Sequence, residues 1–236
     1  MMNEERKQEI NKVVRGVFAS AGFDYDSRQS KIVPLYEIIG GYSLLITELI
    51  DNQRLTSRGA IAAVGQKNAK LSVDDEELSG FLYAAQFEEV LDGWIFTEKS
   101  EPTVRRRFSA AHEFGHYLLH FQPQISKGAN LVFTEGVRFF NNETDEKTVE
   151  ADIYIAEDSE VGRRVPFTER IEKEFEANFF AAELLMPHNA CLYSAEMCEK
   201  QFGANKTMLV RRLASDFLVS FEAMFRRLKD LGFYKG

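Results

Sequence analysis

Cysteine is scarce in this chain: Cys191 and Cys198 are the only two. Their seven-residue separation suits one face of a helix better than a metal clamp or a C-x-x-C site, so free, partly buried thiols are expected. Long apolar runs are missing as well. No stretch approaches membrane-spanning length, and Met1-Met2-Asn3-Glu4-Glu5-Arg6-Lys7 is not followed by the apolar core of a signal peptide, so the expected location is the cytoplasm, with no membrane partner. Positive charge is also in short supply. Against 37 Asp and Glu there are 29 Lys and Arg, a formal net charge of −8 with a pI near 5.2, which argues against broad affinity for phosphate backbones and fits a basic protein partner better. The remainder is the composition of an ordinary globular protein, 44% hydrophobic and 28% charged, with 236 residues to build one sizeable core.

Chemistry-bearing residues concentrate in one stretch, Arg107-Phe108-Ser109-Ala110-Ala111-His112-Glu113-Phe114-Gly115-His116-Tyr117-Leu118-Leu119-His120, which carries H-E-x-x-H. Residues four apart share a helix face, so His112 and His116 can offer two imidazole nitrogens to one tetrahedral zinc ion. Glu113 then stands beside the metal, placed to accept a proton from water that the ion acidifies, the chemistry of peptide-bond hydrolysis. Phe108, Ala111, Gly115 and Leu118 recur at steps of three and four and predict a helix, with Pro102 suited to its first position. Gly115 weakens helix propensity and so points to close packing beside the ligands. The competing reading is an ordinary amphipathic helix whose histidines are satisfied within the core. Downstream, Glu172 to Pro187 forms a second helical run able to deliver a carboxylate as third ligand. In it Glu174 and Asn178 are four apart, so one can bind the metal while the other orients a ligating histidine.

The two runs R-R-F-S-A-A-H-E-F-G-H-Y-L-L-H and E-x-E-A-N-x-F-A-A-E-L-L-M-P, in that order, resemble the ImmA/IrrE family of zinc metallopeptidases. The resemblance spans about Leu78 to Pro187. It implies a zinc-dependent endopeptidase that cleaves a helix-turn-helix transcriptional repressor in phage-type or stress-response regulation. It places the metal ligands on His112, His116 and Glu174 and the general base on Glu113. Glutamate-ligand zinc peptidases generally carry a polar residue four positions after the ligand, which favours Glu174, paired with Asn178, over the reserve candidate Glu176. Arg107 is expected in a structural ion pair.

From these readings follows an α+β fold: a zincin-like core in which a small sheet lies against the His112–His116 helix, with the Glu174 helix beside it. Residues 1–187 are expected to form the metallopeptidase domain, with an amphipathic N-terminal helix from about Glu4 to Ala21 stopped by Gly22. Residues 188–236 are expected as a helical, helix-turn-helix-like segment. Short strands are expected at Lys70–Val73, Gly80–Ala84, Gly93–Thr97, Leu131–Thr134 and Val149–Ile155, with Gly80–Ala84 as the edge that would hold substrate by strand addition. Val33 to Gly65 remains open between helix and strand. His120, about 6 Å along the axis from His116, is too far to share the metal comfortably. Tyr117 and His188 are candidates for stabilising an oxyanion. The acidic run from Glu143 to Glu160 reads as solvated surface or as a patch for a basic substrate. From Phe202 to Gly236 seven Lys and Arg face three Asp and Glu, so the alternative function is a DNA- or protein-binding regulator on a peptidase scaffold without turnover.

Overall fold

The fold starts with a well-capped helix. Asn3 Oδ1 accepts a hydrogen bond from the Arg6 amide at 2.8 Å, and Glu4 and Glu5 place negative charge in the first turn, so α1 runs Glu4–Ser20 and buries Ile10, Val14, Val17 and Phe18. Gly22, at φ +75°, lets the chain leave the helix. The computed structural model describes residues 2–29, 31–49, 53–65, 77–87, 90–125, 130–137, 167–203 and 205–234. The strands expected at Lys70–Val73 and Val149–Ile155, and the acidic run from Glu143 to Glu160, lie outside the described residues.

The segment left open by its periodicity contains both element types: α2 (Leu35–Gly40), β1 (Leu44–Thr47) and α3 (Ser57–Ala63). The strands β2 (Gly80–Phe87), β3 (Val90–Thr97) and β4 (Asn130–Val137) complete a mixed four-stranded sheet in the order β1-β3-β2-β4. β1 is parallel to β3, while β2 is antiparallel to both β3 and β4. This corrects the expected substrate edge. Gly80–Ala84 lies in β2, hydrogen-bonded to a strand on each side, so its backbone groups are already used; among the described residues the edges are β1 and β4.

Alternation along the strands serves two faces. Leu82, Ala84 and Ile95 enter the main core, whereas Phe81, Tyr83, Ala85 and Phe96 form a second cluster with Ala60 and Ile61 of α3. Against the main face lies α4 (Thr103–His116), capped by Pro102 rather than begun by it. α5 (Phe167–Leu185) packs along α4, with Phe114 and Phe180 edge to face at 5.8 Å. Gly115 makes this approach possible, because a Cβ there would lie 3.3 Å from Ala177 Cα and 3.0 Å from Phe180 Cδ1. The fold is thus α+β with a zincin-like core, a small sheet on one side of the H-E-x-x-H helix and α5 on the other.

Three further helices, α6 (His188–Phe202), α7 (Lys206–Phe217) and α8 (Phe221–Asp230), share the main apolar cluster with α1, α4 and α5. A buried polar node ties them in. Glu183 accepts from Tyr25 Oη, from the His188 amide at 3.1 Å and from Arg227 Nη2 at 2.6 Å, while Arg227 Nε donates to the Met186 carbonyl at 2.9 Å. Cys191 and Cys198 are free and buried on α6. Among the described residues, no helix is long and apolar enough to cross a membrane.

Candidate metal centre

Residues 107–121 are buried almost without interruption, which is unusual for a helix carrying two histidines, a glutamate and an arginine. Polar groups at such depth need partners. His112 and His116 are one helical turn apart, and their Nε2 atoms approach to 3.0 Å. From α5, Glu174 brings its carboxylate oxygens to 3.1 Å from His112 Nε2 and 3.3 Å from His116 Nε2. Ligands around a tetrahedral ion at roughly 2.0–2.1 Å lie about 3.3 Å from one another, so these separations fit a zinc-sized ion bound by all three. Two imidazoles and one carboxylate are also a donor set that leaves a fourth position open for substrate or water. His112, His116 and Glu174 form the cluster of possible metal ligands among the described residues.

The remaining contacts aim these groups. Asn178, one turn beyond Glu174, lies with Oδ1 2.9 Å from His112 Nδ1, so that nitrogen carries the proton and Nε2 presents its lone pair inward. The Glu174 carboxyl sits well below the usual carboxylate range; burial opposes its ionisation, but the adjoining His116 and His112 rings more than offset that. Glu113, fully buried and next to His112 in the chain, completes the group at the motif.

Other expectations fare differently. Glu176, the reserve ligand, faces away from the His112–His116 pair: its oxygens take Arg6 Nε at 2.8 Å and Arg6 Nη2 at 2.6 Å, and lie 3.1 Å from His120 Nε2. His120 stays off the shared point and instead sets Nδ1 3.0 Å from His116 Nδ1. A π-helical turn, Tyr117–Phe121, follows α4 here; such turns are rare and often mark functional sites. Arg107 is not in the expected ion pair. Its Nη2 donates to the Val33 carbonyl at 2.9 Å, burial pushes its guanidinium below the usual range, and no carboxylate among the described residues pairs with it. Arg106 pairs with Glu48 and Arg105 reaches Glu101 at 3.7 Å. Tyr117 is packed in the core beside Phe121, and His188 is exposed beyond the end of α5, which separates Glu174 from Leu185 by about 16 Å at 1.5 Å per residue. Neither is assembled with the metal cluster.

A family model, Peptidase M78, the IrrE N-terminal-like domain, matches residues 65–157 and 152–229. The chain belongs to this ImmA/IrrE family of metallopeptidases. A comparison with curated proteins gave no match. In this M78 peptidase the matched residues carry α4, α5 and all the groups converging on the cluster, while α1, α2, β1 and α3 precede them. Sequence reasoning missed the contribution of His120 and Arg6. The third histidine at the same four-residue step was the available signal for the first; nothing local marked Arg6, whose partner lies 170 residues away.

Proposed function

We propose that the chain is a zinc-dependent endopeptidase whose substrate is a helix-turn-helix transcriptional repressor, acting in the cytoplasm. One observation carries the metal assignment: His112 Nε2, His116 Nε2 and the Glu174 carboxylate converge at 3.0–3.3 Å beside the buried Glu113. The family supplies the reaction class, and the resemblance carried by the two long motifs supports the substrate class.

When bound, zinc supplies a Lewis acid that polarises a carbonyl and acidifies water. The protein's own residues do the rest. Glu113 takes the proton of the attacking water as general base and returns it to the departing amine. Asn178 holds the His112 ring to its working tautomer. Among the described residues β4 is an edge strand in contact with α4, and an extended substrate segment is expected to add along that side of the sheet. The helices of 188–236 serve as a wall of the peptidase rather than as a DNA reader. One of the two adjacent arginines of the helix-turn-helix-like pair, Arg227, is 4% exposed and committed to Glu183, so it is withdrawn from any phosphate backbone.

Glu113→Gln tests the reading. The amide keeps the carboxylate's shape but accepts no proton, which costs on the order of 10²–10⁴ in rate. The zinc-loaded variant is expected to bind a cognate repressor and hold it uncleaved in a pull-down, while wild type converts it to two fragments. Cleavage at the wild-type rate by the variant would remove Glu113 from the reaction, and zinc-loaded wild type that cleaves no repressor would favour a scaffold without turnover.

A further inference from the structure

A buried polar chain runs outward from the metal cluster and ends on the N-terminal helix. His116 Nδ1 lies 3.0 Å from His120 Nδ1, His120 Nε2 lies 3.1 Å from Glu176 Oε2, and Arg6 grips both Glu176 oxygens at 2.8 and 2.6 Å. Arg6 is itself held by Glu9 at 2.8 Å, one turn further along α1. His116 is fully buried and His120 nearly so, whereas Arg6 is about one-third exposed, so the chain connects the interior to the surface.

Proton positions along it are fixed by elementary rules. An ionised carboxylate can only accept, so His120 Nε2 carries the hydrogen it gives to Glu176. A neutral ring has one N–H, so His120 Nδ1 is then an acceptor, and the nitrogen facing it, His116 Nδ1, must be the donor. His116 Nε2 is left with its lone pair, directed at the point it shares with His112 Nε2 and Glu174. Arg6 donates to both Glu176 oxygens, which fixes the carboxylate in place as the acceptor facing His120 Nε2. With Asn178 setting His112 in the same way, His112 Nε2, His116 Nε2 and the Glu174 carboxylate are turned toward one shared position, the donor set a zinc ion takes.

We infer that His120, Glu176 and Arg6 are positioning residues for the metal ligand His116, and that α1 is thereby a working part of the metal centre. Arg6 lies outside the residues matched by the family model, which begin at 65. The inference rests on the reading of His112, His116 and Glu174 as zinc ligands.

Two readouts test it besides activity: zinc affinity, by competition with a chromophoric chelator, and the visible absorption of the cobalt-substituted protein, which reports ligand geometry. His120→Phe keeps the ring's bulk but removes the acceptor, and is expected to weaken zinc binding roughly 10–100-fold and to shift the cobalt spectrum. Arg6→Met, at a partly exposed position that tolerates the change, is expected to give a smaller loss in the same direction. Glu176→Gln, whose amide oxygen can still accept from His120, is expected to retain more affinity than Glu176→Leu. Arg15→Met is the control. It removes an α1 ion pair away from the metal cluster, to Asp26 at 2.5 and 2.9 Å, and is expected to lower thermal stability with zinc affinity unchanged. Wild-type affinity and cobalt spectrum in both His120→Phe and Arg6→Met would overturn the inference while leaving the ligand assignment standing. Failure of wild type itself to bind zinc would overturn both.

Discussion

Replacing Gly115 with alanine adds one methyl group where two helices nearly touch. The new Cβ would sit 3.0 Å from Phe180 Cδ1, 3.3 Å from Phe180 Cβ and 3.3 Å from Ala177 Cα, closer than ordinary contact. Phe180 cannot swing aside, because its ring is fully buried against Phe114, and Ala177 offers backbone rather than a mobile side chain. α4 and α5 must therefore part by a few tenths of an ångström. Overpacking of this kind costs about 1–3 kcal/mol, offset by about 1 kcal/mol of helix propensity gained on leaving glycine. The net is a loss of roughly 0–2 kcal/mol, or at most about 8 °C in Tm for a chain of this size. Zinc affinity should suffer more than stability, since Ala177 is one turn from Glu174 and Gly115 adjoins His116, and ligand distances tolerate only about 0.2 Å. A tenfold or greater loss is expected by chelator competition. Gly16→Ala supplies the contrast. It is an exposed position within α1 with nothing within 4 Å of the new methyl, so it should stabilise by about 1 kcal/mol and leave zinc binding alone. Gly115→Ala behaving like Gly16→Ala on both counts would refute the account of the α4–α5 contact.

Purified protein is expected to hold close to one zinc per chain by metal analysis, with Glu174→Ala abolishing tight binding and Glu176→Ala only weakening it; the reverse ranking would exchange their roles. Arg227→Leu leaves the Glu183 carboxylate buried without its cation and should cost about 3–5 kcal/mol by urea unfolding, whereas Arg226→Gln, at an exposed position, should stay within about 0.5 kcal/mol and change no DNA association in a gel-shift assay at two salt concentrations. Glu98 should shape acid stability. Burial raises its carboxyl, but Ser100 and the Leu55 amide at 2.7 Å more than reverse this, so its pKa is lowered on folding. The stability it contributes is then complete above the unfolded value of 4.5 and is lost as pH falls through the lower folded value. Glu98→Gln should flatten the acid limb of the stability curve below about pH 5, and an unchanged limb would count against the assignment.

Where a feature depended on spacing along one helix, the sequence was readable. The 3.6-residue rhythm of α1, the four-residue steps of His112–His116 and Glu174–Asn178, and the glycine at a close crossing all belong to this class. Features that depended on which distant segment comes alongside were not. β2 looks like any short apolar strand, and its inner place follows from β1 adding beside β3 and β4 closing the other flank. Arg227 reads as surface charge until Glu183, 44 residues earlier, is brought beneath it. Arg107 reads as half of an ion pair because nothing local announces the Val33 carbonyl. His120 was placed correctly off the shared metal point, but its distance along the axis concealed the Nδ1-to-Nδ1 contact with His116.

The tie between Glu183 and Arg227 also sets an order of events during synthesis. At roughly 5–20 residues per second, the 44 residues between them take about 2–9 s to be made. Through that interval both metal motifs already exist, yet the helix bearing Glu174 carries an acid whose cation has not left the ribosome. A product terminated before residue 227 would contain His112, Glu113, His116 and Glu174 and still lack the charge its interior requires. The buried setting of the Glu174 helix is thereby completed only in chains that extend into α8, and shorter fragments are expected to be directed to degradation.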